Sequence, residues 1–263
     1  MIYYYIICAI VGYLIGSIPF GYIIVKLKKG IDIRTVGSGN IGATNVGRVI
    51  GWPWGILCFL LDAGKGFVST VLIPYLILSH TYPEPQRIIR PEGTLPFCGT
   101  PYVAYMSERM QVLKELSLLV GLFVIIGHLF PCYLRFKGGK GVATALGVFI
   151  FLLPVPTLIT VVIWLLFLVT MRYVSLASIM AAVALPLTYY YYLTCYIWPL
   201  TSYDWFYKPI ALYLSNYVAA FLVLISLLII IKHIPNIKRL IKGTEPKVKL
   251  WGKKPQINTD EHR

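Results

Sequence analysis

The stretch Val142-Ala-Thr-Ala-Leu-Gly-Val-Phe-Ile-Phe-Leu-Leu-Pro154-Val-Pro156-Thr-Leu-Ile-Thr-Val-Val-Ile-Trp-Leu-Leu-Phe-Leu-Val-Thr-Met171 decides how the chain is arranged. It holds no charged residue. A helix that crosses a bilayer needs about 20 apolar residues, so this run is long for one span and short for two. Pro154 and Pro156 stand in its middle, where a helix interior would lose a backbone hydrogen bond. It reads either as one long tilted helix or as a tight hairpin of two short ones. Elsewhere the apolar runs predict spans at 3–25, 66–80, 116–132, 174–194 and 210–231. Asp62-Ala-Gly-Lys65-Gly interrupts the run before 66, so 52–61 reads as a short interfacial or re-entrant piece.

The basic residues choose between the two arrangements. Loop 26–48 carries Lys26, Lys28, Lys29, Arg34 and Arg48 on one face. If 142–171 is a hairpin, segment 133–141, Arg172 and the C-terminal tail join that face, which then holds 18 of the 24 Lys and Arg residues. A single helix would send the tail's basic residues to the other side. The positive-inside bias therefore predicts an all-α polytopic membrane protein. About seven transmembrane helices are expected, with the N-terminus out, the C-terminus in, and short glycine-rich cytoplasmic loops. The face that carries the basic loops is expected to be the cytoplasmic one.

Composition agrees. Of 263 residues, 58% are hydrophobic and 13% charged, and mean hydropathy is +0.74. Soluble domains carry about 25% charged residues, so a soluble enzyme is excluded. Aromatics at 14% and the lack of low-complexity sequence exclude disorder and fibres. The formal net charge of +14 would suggest nucleic acid in a soluble protein. Here it reads as orientation signal and attraction to anionic headgroups, or as preparation for an anionic, phosphorylated substrate. Five scattered cysteines lack C-x-x-C spacing. The N-terminus has no basic n-region or A-x-A site and reads as a retained first span, kinked by Pro19. Gly12 and Gly16 suit close helix packing. Residues 1–247 are expected to form one membrane domain. Within it, proline-rich 81–115 is expected as an extracytoplasmic insertion loop, and 248–263 as a mobile basic tail.

Three inside segments carry the polar chemistry. Gly37-Ser-Gly-Asn-Ile-Gly-Ala-Thr-Asn45, followed by Arg48, frees the backbone to turn N–H groups toward one point, a nest for anions. Ser38, Asn40, Thr44 and Asn45 add small donors, and Arg48 a bidentate fork. The competing reading is a flexible loop with glycines for turns. Phe136-Lys-Gly-Gly-Lys-Gly-Val-Ala-Thr144 leads into a helix, and a glycine-rich loop at a helix N-terminus suits an anion. Gly141 follows Lys140, so it is not a Walker A loop. Positive-inside charge with packing glycines is its alternative. His233-Ile-Pro-Asn236 through Glu245 follows the last span. His233 is either a group titrating near neutrality or an interfacial residue. Asp62 and Lys65 read as functional ionisable groups or as a self-compensating pair.

These residues carry a resemblance. GSIPFG (16–21), DIRTVGSGNIGATNVGR (32–48), LDAGKG (61–66), GHLFPCYLRFKGGKGVAT (127–144) and HIPNIKRLIKGTE (233–245) resemble the bacterial PlsY family of glycerol-3-phosphate acyltransferases, in order and through most of the chain. The chain is longer than a typical member, chiefly at 81–115 and 196–209. The resemblance implies transfer of a fatty acyl group from acyl-phosphate to glycerol 3-phosphate, giving lysophosphatidic acid and phosphate. It implies that Ser38, Arg48, Lys140, His233 and Asn236 bind glycerol phosphate and are needed for activity. Gly39, Asn40, Gly42, Thr44, Asn45, Gly138, Gly139 and Gly141 are then expected to hold the acyl-phosphate. Asp62, Lys65 and Glu245 are expected as supporting residues. No cofactor, metal or nucleic acid is expected. Acyl-phosphate, glycerol 3-phosphate and membrane lipids are the expected partners. A transporter of a phosphorylated solute and a lipid-headgroup scaffold are the rival readings from other classes.

Overall fold

The computed structural model describes residues 2–81, 101–197 and 208–248. Helices α1 (Ile2–Gly16) and α2 (Phe20–Lys29) are separated by the break at Pro19. Then come α3 (Ala43–Ile50), α4 (Trp52–Thr81), α5 (Pro101–Leu129), α6 (Val142–Leu152), α7 (Pro154–Met171), α8 (Val174–Tyr192), α9 (Lys208–Lys232) and α10 (Ile234–Ile241). Among the described residues there is no β-strand. Five helical segments are long and apolar enough to cross a membrane. A sixth follows if Asn216–Lys232 and Ile234–Ile241, bent by 55°, are counted together. On α7, Leu158, Val162, Leu166 and Val169 face outward, as a lipid-contacting surface would.

The deciding stretch does break at the proline pair. Leu153, at φ −143°, ends α6 and caps α7, which starts on Pro154. That is where a proline costs a helix nothing, because a first-turn N–H has no intrahelical acceptor. The Thr157 hydroxyl bonds back to the Phe149 carbonyl at 3.0 Å, closing the corner. At 11 residues, α6 is about 16 Å long, half of a hydrocarbon core.

Two expectations are corrected. The interfacial piece at 52–61 and the span at 66–80 are one unbroken 30-residue helix, α4. The polar interruption does not break it because Lys65 and Asp62 pair within the helix at 2.8 Å. Its glycine is used for packing: a Cβ on Gly66 would collide with the Thr144 carbonyl of α6, and one on Gly147 of α6 with the Ala63 carbonyl of α4. The second correction concerns the polar segment expected as loop up to 115. Residues 101–115 are helical and extend α5 back to Pro101. Residues 82–100, 198–207 and 249–263, which hold the rest of the expected insertion and the tail, lie outside the described residues.

The core has three parts. Cys8, Leu116, Val120 and Val124 join α1 to α5. Ile125, Leu129, Val148, Phe149, Leu185, Leu222 and Ile225 join α5, α6, α8 and α9. Val25, Ile33, Val46 and Cys58 seat α2 and α3 on α4. Gly12 and Gly16 let α1 lie on α5, and a Cβ on Gly16 would run into the backbone of Val124. Gly16→Val is therefore expected to destabilise the protein by about 1–3 kcal/mol, read as a lowered thermal midpoint in detergent. An unchanged midpoint would show that the α1–α5 contact is loose.

Candidate active site

The first glycine loop is held by Asn45. This buried side chain donates to the carbonyls of Val36 (3.1 Å) and Asn40 (2.9 Å) and accepts from the Ser38 N–H (2.9 Å). Its polar atoms are thus spent on the loop. Asn40 closes a turn by accepting the Gly42 N–H at 2.8 Å. Asp32 and Arg34 form an ion pair at 2.6 Å, and Arg34 reaches the Leu134 carbonyl, linking the two loops. The loop leads into α3, whose N-terminus is therefore fixed in space.

The second loop leaves α5 through an unusual turn. Arg135 (φ 53°) and Phe136 (φ 61°) both adopt the left-handed conformation, which non-glycine residues rarely take. The chain then lies against the end of α5. Gly138 has no room for a Cβ beside the His128 carbonyl, and a Cβ on Gly139 would overlap the His128 ring. Gly141 (φ 81°) caps α6.

The third segment forms at the bend after α9. His233 sits at the junction, and Pro235 lies in the first turn of α10. The His233 Nδ1–H donates to the Ile229 carbonyl at 2.8 Å, which leaves the Nε2 lone pair as the free one. Lys140 donates to Asn236 Oδ1 at 2.6 Å. Asn236 Nδ2 donates to Glu245 Oε1 at 2.7 Å. Ser175 donates to the same oxygen at 2.7 Å, and Arg239 Nε reaches Oε2 at 2.7 Å.

These pieces surround one cavity of about 540 Å³. Ser38, Arg48, Lys140, His233 and Asn236 all line it, with Asn40, Gly42, Thr44, Asn45, Gly141, Asp62 and Glu245. Lys65 does not. Nor do Gly39, Gly138 and Gly139, which were expected to hold acyl-phosphate. The Gly39 N–H bonds the Val36 carbonyl, and the Gly139 N–H bonds that of His128. These glycines let the loops turn and pack. His128, Ser175, Trp164 and Ser178 line the cavity but were not singled out from sequence. The histidine in GHLFP was the available signal for His128; Ser175 has no motif around it to mark it.

The surroundings suit negative charge. The N-termini of α3 (Gly42–Thr44) and α6 (Gly141–Ala143) both reach the cavity, and first-turn N–H groups lack intrahelical acceptors. Burial pulls the Lys140 ammonium down to about 8, against the opposing pull of Glu245. Burial likewise lowers the Arg48 guanidinium. Burial, with Lys140 beside it, holds His233 down at about 4. Burial works to raise the Glu245 carboxyl, but its hydrogen bonds from Ser175, Asn236 and Arg239 outweigh that and lower it. A second cavity of about 160 Å³ lies between α6, α7, α8 and α9, lined by Ala145, Phe149, Val161, Leu185 and Ile225 among others. It shares Phe59, Val142, Trp164 and Ser178 with the first.

A cavity that brings Arg48, Lys140 and two helix N-termini together, beside an apolar one among membrane helices, suits an anionic headgroup next to a lipid chain. Comparison with known proteins agrees. A family model described as glycerol-3-phosphate acyltransferase matches residues 6–243. Glycerol-3-phosphate acyltransferases of Endomicrobium trichonymphae and of Staphylococcus aureus (strain Newman) are each 38% identical, over 95% and 93% of this chain and 98% of each relative. A solved structure, PlsY in its glycerol 3-phosphate form, is an integral membrane glycerol 3-phosphate acyltransferase that is 34% identical. It aligns with a TM-score of 0.65, covering 93% of this chain and 96% of that one. The lysophosphatidic acid form gives 33% identity and a TM-score of 0.63, over 93% of this chain and 95% of that one. The protein is a multi-pass membrane acyltransferase. The chain belongs to the glycerol-3-phosphate acyltransferase family.

Removing Glu245 would leave Ser175, Asn236 and Arg239 without their common acceptor. Glu245→Ala is expected to cost about 3 kcal/mol and to lower the thermal midpoint more than Arg239→Ala, whose side chain is 36% exposed. Equal effects would place the weight on the Arg239 ion pair alone.

Proposed function

We propose that this chain transfers a fatty acyl group from acyl-phosphate to the 1-hydroxyl of glycerol 3-phosphate. The products are 1-acyl-glycerol 3-phosphate and inorganic phosphate, in the first step of phospholipid biosynthesis. The observation that carries this reading is the union of two chambers, one cationic and one apolar, along a single wall. Both substrates bring phosphate, and one brings an alkyl chain.

In this reading Arg48, Lys140, Ser38 and Asn236 hold the acceptor's phosphate. Asn40, Thr44 and the N-terminal N–H groups of α3 and α6 hold the donor's. Asn45 keeps the first loop in shape, and the apolar cavity takes the acyl chain. The acceptor hydroxyl attacks the carbonyl carbon, the bond from carbonyl carbon to phosphate oxygen breaks, and phosphate leaves. No covalent enzyme intermediate is needed, because a mixed anhydride already has a good leaving group. Positioning and stabilisation of negative charge supply most of the rate. In the same reading His233 Nε2, whose lone pair is free, holds the acceptor hydroxyl. Its low basicity favours the departing phosphate as the final acceptor of the hydroxyl proton.

For topology we propose seven membrane helices, with α6 and α7 as the two arms of one hairpin, the N-terminus outside and the site at the cytoplasmic face of the cell membrane. The bias of 18 of 24 Lys and Arg residues supports it. A reporter fused after the C-terminus should be active only as a cytoplasmic reporter; export of that reporter would overturn the arrangement.

Purified protein given acyl-phosphate and glycerol 3-phosphate should release lysophosphatidic acid. No product from a folded sample would turn the reading toward transport. Arg48→Ala and Lys140→Ala should each lower kcat/KM by about 100-fold or more, and near-normal values would sink the assignment. The pH profile has a definite sign. In the free enzyme Lys140 is charged below about 8 and neutral above it. Since kcat/KM reports the free enzyme, kcat/KM for glycerol 3-phosphate should fall as pH rises through that value. Lys140→Arg should remove this alkaline limb, because guanidinium stays protonated.

A further inference from the structure

Three ionisable side chains stand together where the second glycine loop meets the helices. Asp62 and Lys65 of α4 and His128 of α5 are 2%, 7% and 4% exposed. Asp62 Oδ1 lies 2.8 Å from Lys65 Nζ and 3.4 Å from His128 Nδ1. Lys65 Nζ lies 3.0 Å from that same ring nitrogen and donates to the Ile18 carbonyl at 2.8 Å. The cluster thus ties the break between α1 and α2 to α4 and α5. Buried ion pairs are weak contributors to stability, since apolar replacements are often neutral or better, and ionisable groups inside membrane helices usually mark function.

The position of the imidazole suggests what the cluster does. Its Nδ1 side faces Asp62, and its Nε2 side lies against Gly139, where any Cβ would overlap it. The His128 carbonyl accepts the Gly139 N–H at 3.0 Å. Gly139 is held by ring and backbone together, and Lys140 is the next residue. Beyond it, α6 is seated on α4 at Gly66 and Gly147, within a turn or so of the cluster.

We propose that Asp62 and His128, braced by Lys65, are positioning residues that place the Lys140 ammonium against the phosphate of the acceptor. The inference rests on the acyltransferase reading above. Asp62 holds the Lys65 ammonium, which donates to His128 Nδ1 and fixes the ring; the ring fixes Gly139, and Gly139 fixes the height of Lys140 in the cavity. None of the three needs to touch substrate.

Steady-state kinetics on Asp62→Asn, His128→Asn and Gly139→Ala test it, with each substrate varied in turn and thermal midpoints measured alongside. A loop displaced by about 1 Å can cost up to about 100-fold. KM for glycerol 3-phosphate should therefore rise about 10- to 100-fold, while KM for acyl-phosphate stays within about twofold. Gly139→Ala removes no ionisable group and meets no left-handed backbone, and should give the same split. Folded variants in which both KM values move together, or neither moves, would overturn the inference. If Asp62→Asn and His128→Asn fail to fold, Gly139→Ala decides: the split supports positioning, and unchanged KM values assign the cluster to stability. A folded wild type that yields no lysophosphatidic acid sinks the acyltransferase reading itself. Product from wild type with unaltered variants sinks the positioning role alone.

Discussion

Glu245 accepts Ser175 and Asn236 on one oxygen and Arg239 on the other, and its side chain is 4% exposed. A carboxylate so enclosed cannot shift without leaving several donors unpaired, which is costly in a low dielectric. It therefore fixes the start of α8 relative to α10. Through Asn236 it also fixes Lys140, at 2.6 Å, and with it the loop before α6. The next residue, Pro246, offers its carbonyl to Arg48 of α3. Helices far apart in sequence meet at the cavity because this one carboxylate holds their ends.

That tie also sets the charge of the site. Arg48 and Lys140 are partly stripped of water, and Glu245 is the carboxylate that counters them. Its hydrogen-bonding capacity is divided among three donors. The cationic surplus is therefore under-compensated until an anion arrives. In the proposed reaction a substrate phosphate supplies that missing negative charge, and it is burial first of all that lowers the basicity of Lys140. A site relaxed by internal ion pairs would be more comfortable empty and would bind phosphate less well.

The polar motifs were legible because they are local: glycines and short donors at 37–45, the lysines flanking 138–139, and the His233–Asn236 spacing all survive reading one segment at a time. The break at Pro154 was legible in a different way: the prolines left one long helix or two, and the placing of basic residues along the whole chain chose the hairpin. Partners distant in sequence were not. Asp62-Ala-Gly-Lys65-Gly looks like an interruption until His128 and Thr144 are seen beside it, and only then does a continuous α4 make sense. Asn45 looks like a ligand until its carboxamide is found holding the loop carbonyls. Gly138 and Gly139 look like a phosphate nest until the end of α5 is found packed against them. Glycine in a loop signals that something comes close, and the sequence alone does not say whether it is ligand or neighbouring backbone.

Helix α6 brings the two chambers into one mechanism. Its first residues, Gly141 to Ala143, border the cationic cavity, while Val142, Ala145, Leu146 and Phe149 border the apolar one. Under the proposed function a single short helix thus offers its positive end to phosphate and its apolar flank to an alkyl chain. In the proposed reaction the scissile anhydride lies between those two parts of the donor, so its carbonyl must come to rest near the wall both chambers share. Negative charge that develops there on attack falls within the field of the same helix N-terminus. An 11-residue helix suffices for this, because its work is at its start and along one side. The proline that ends α6 at half a span is therefore compatible with the proposed function: the helix is long enough to orient the donor, and α7 turns back to line the apolar cavity from the other side.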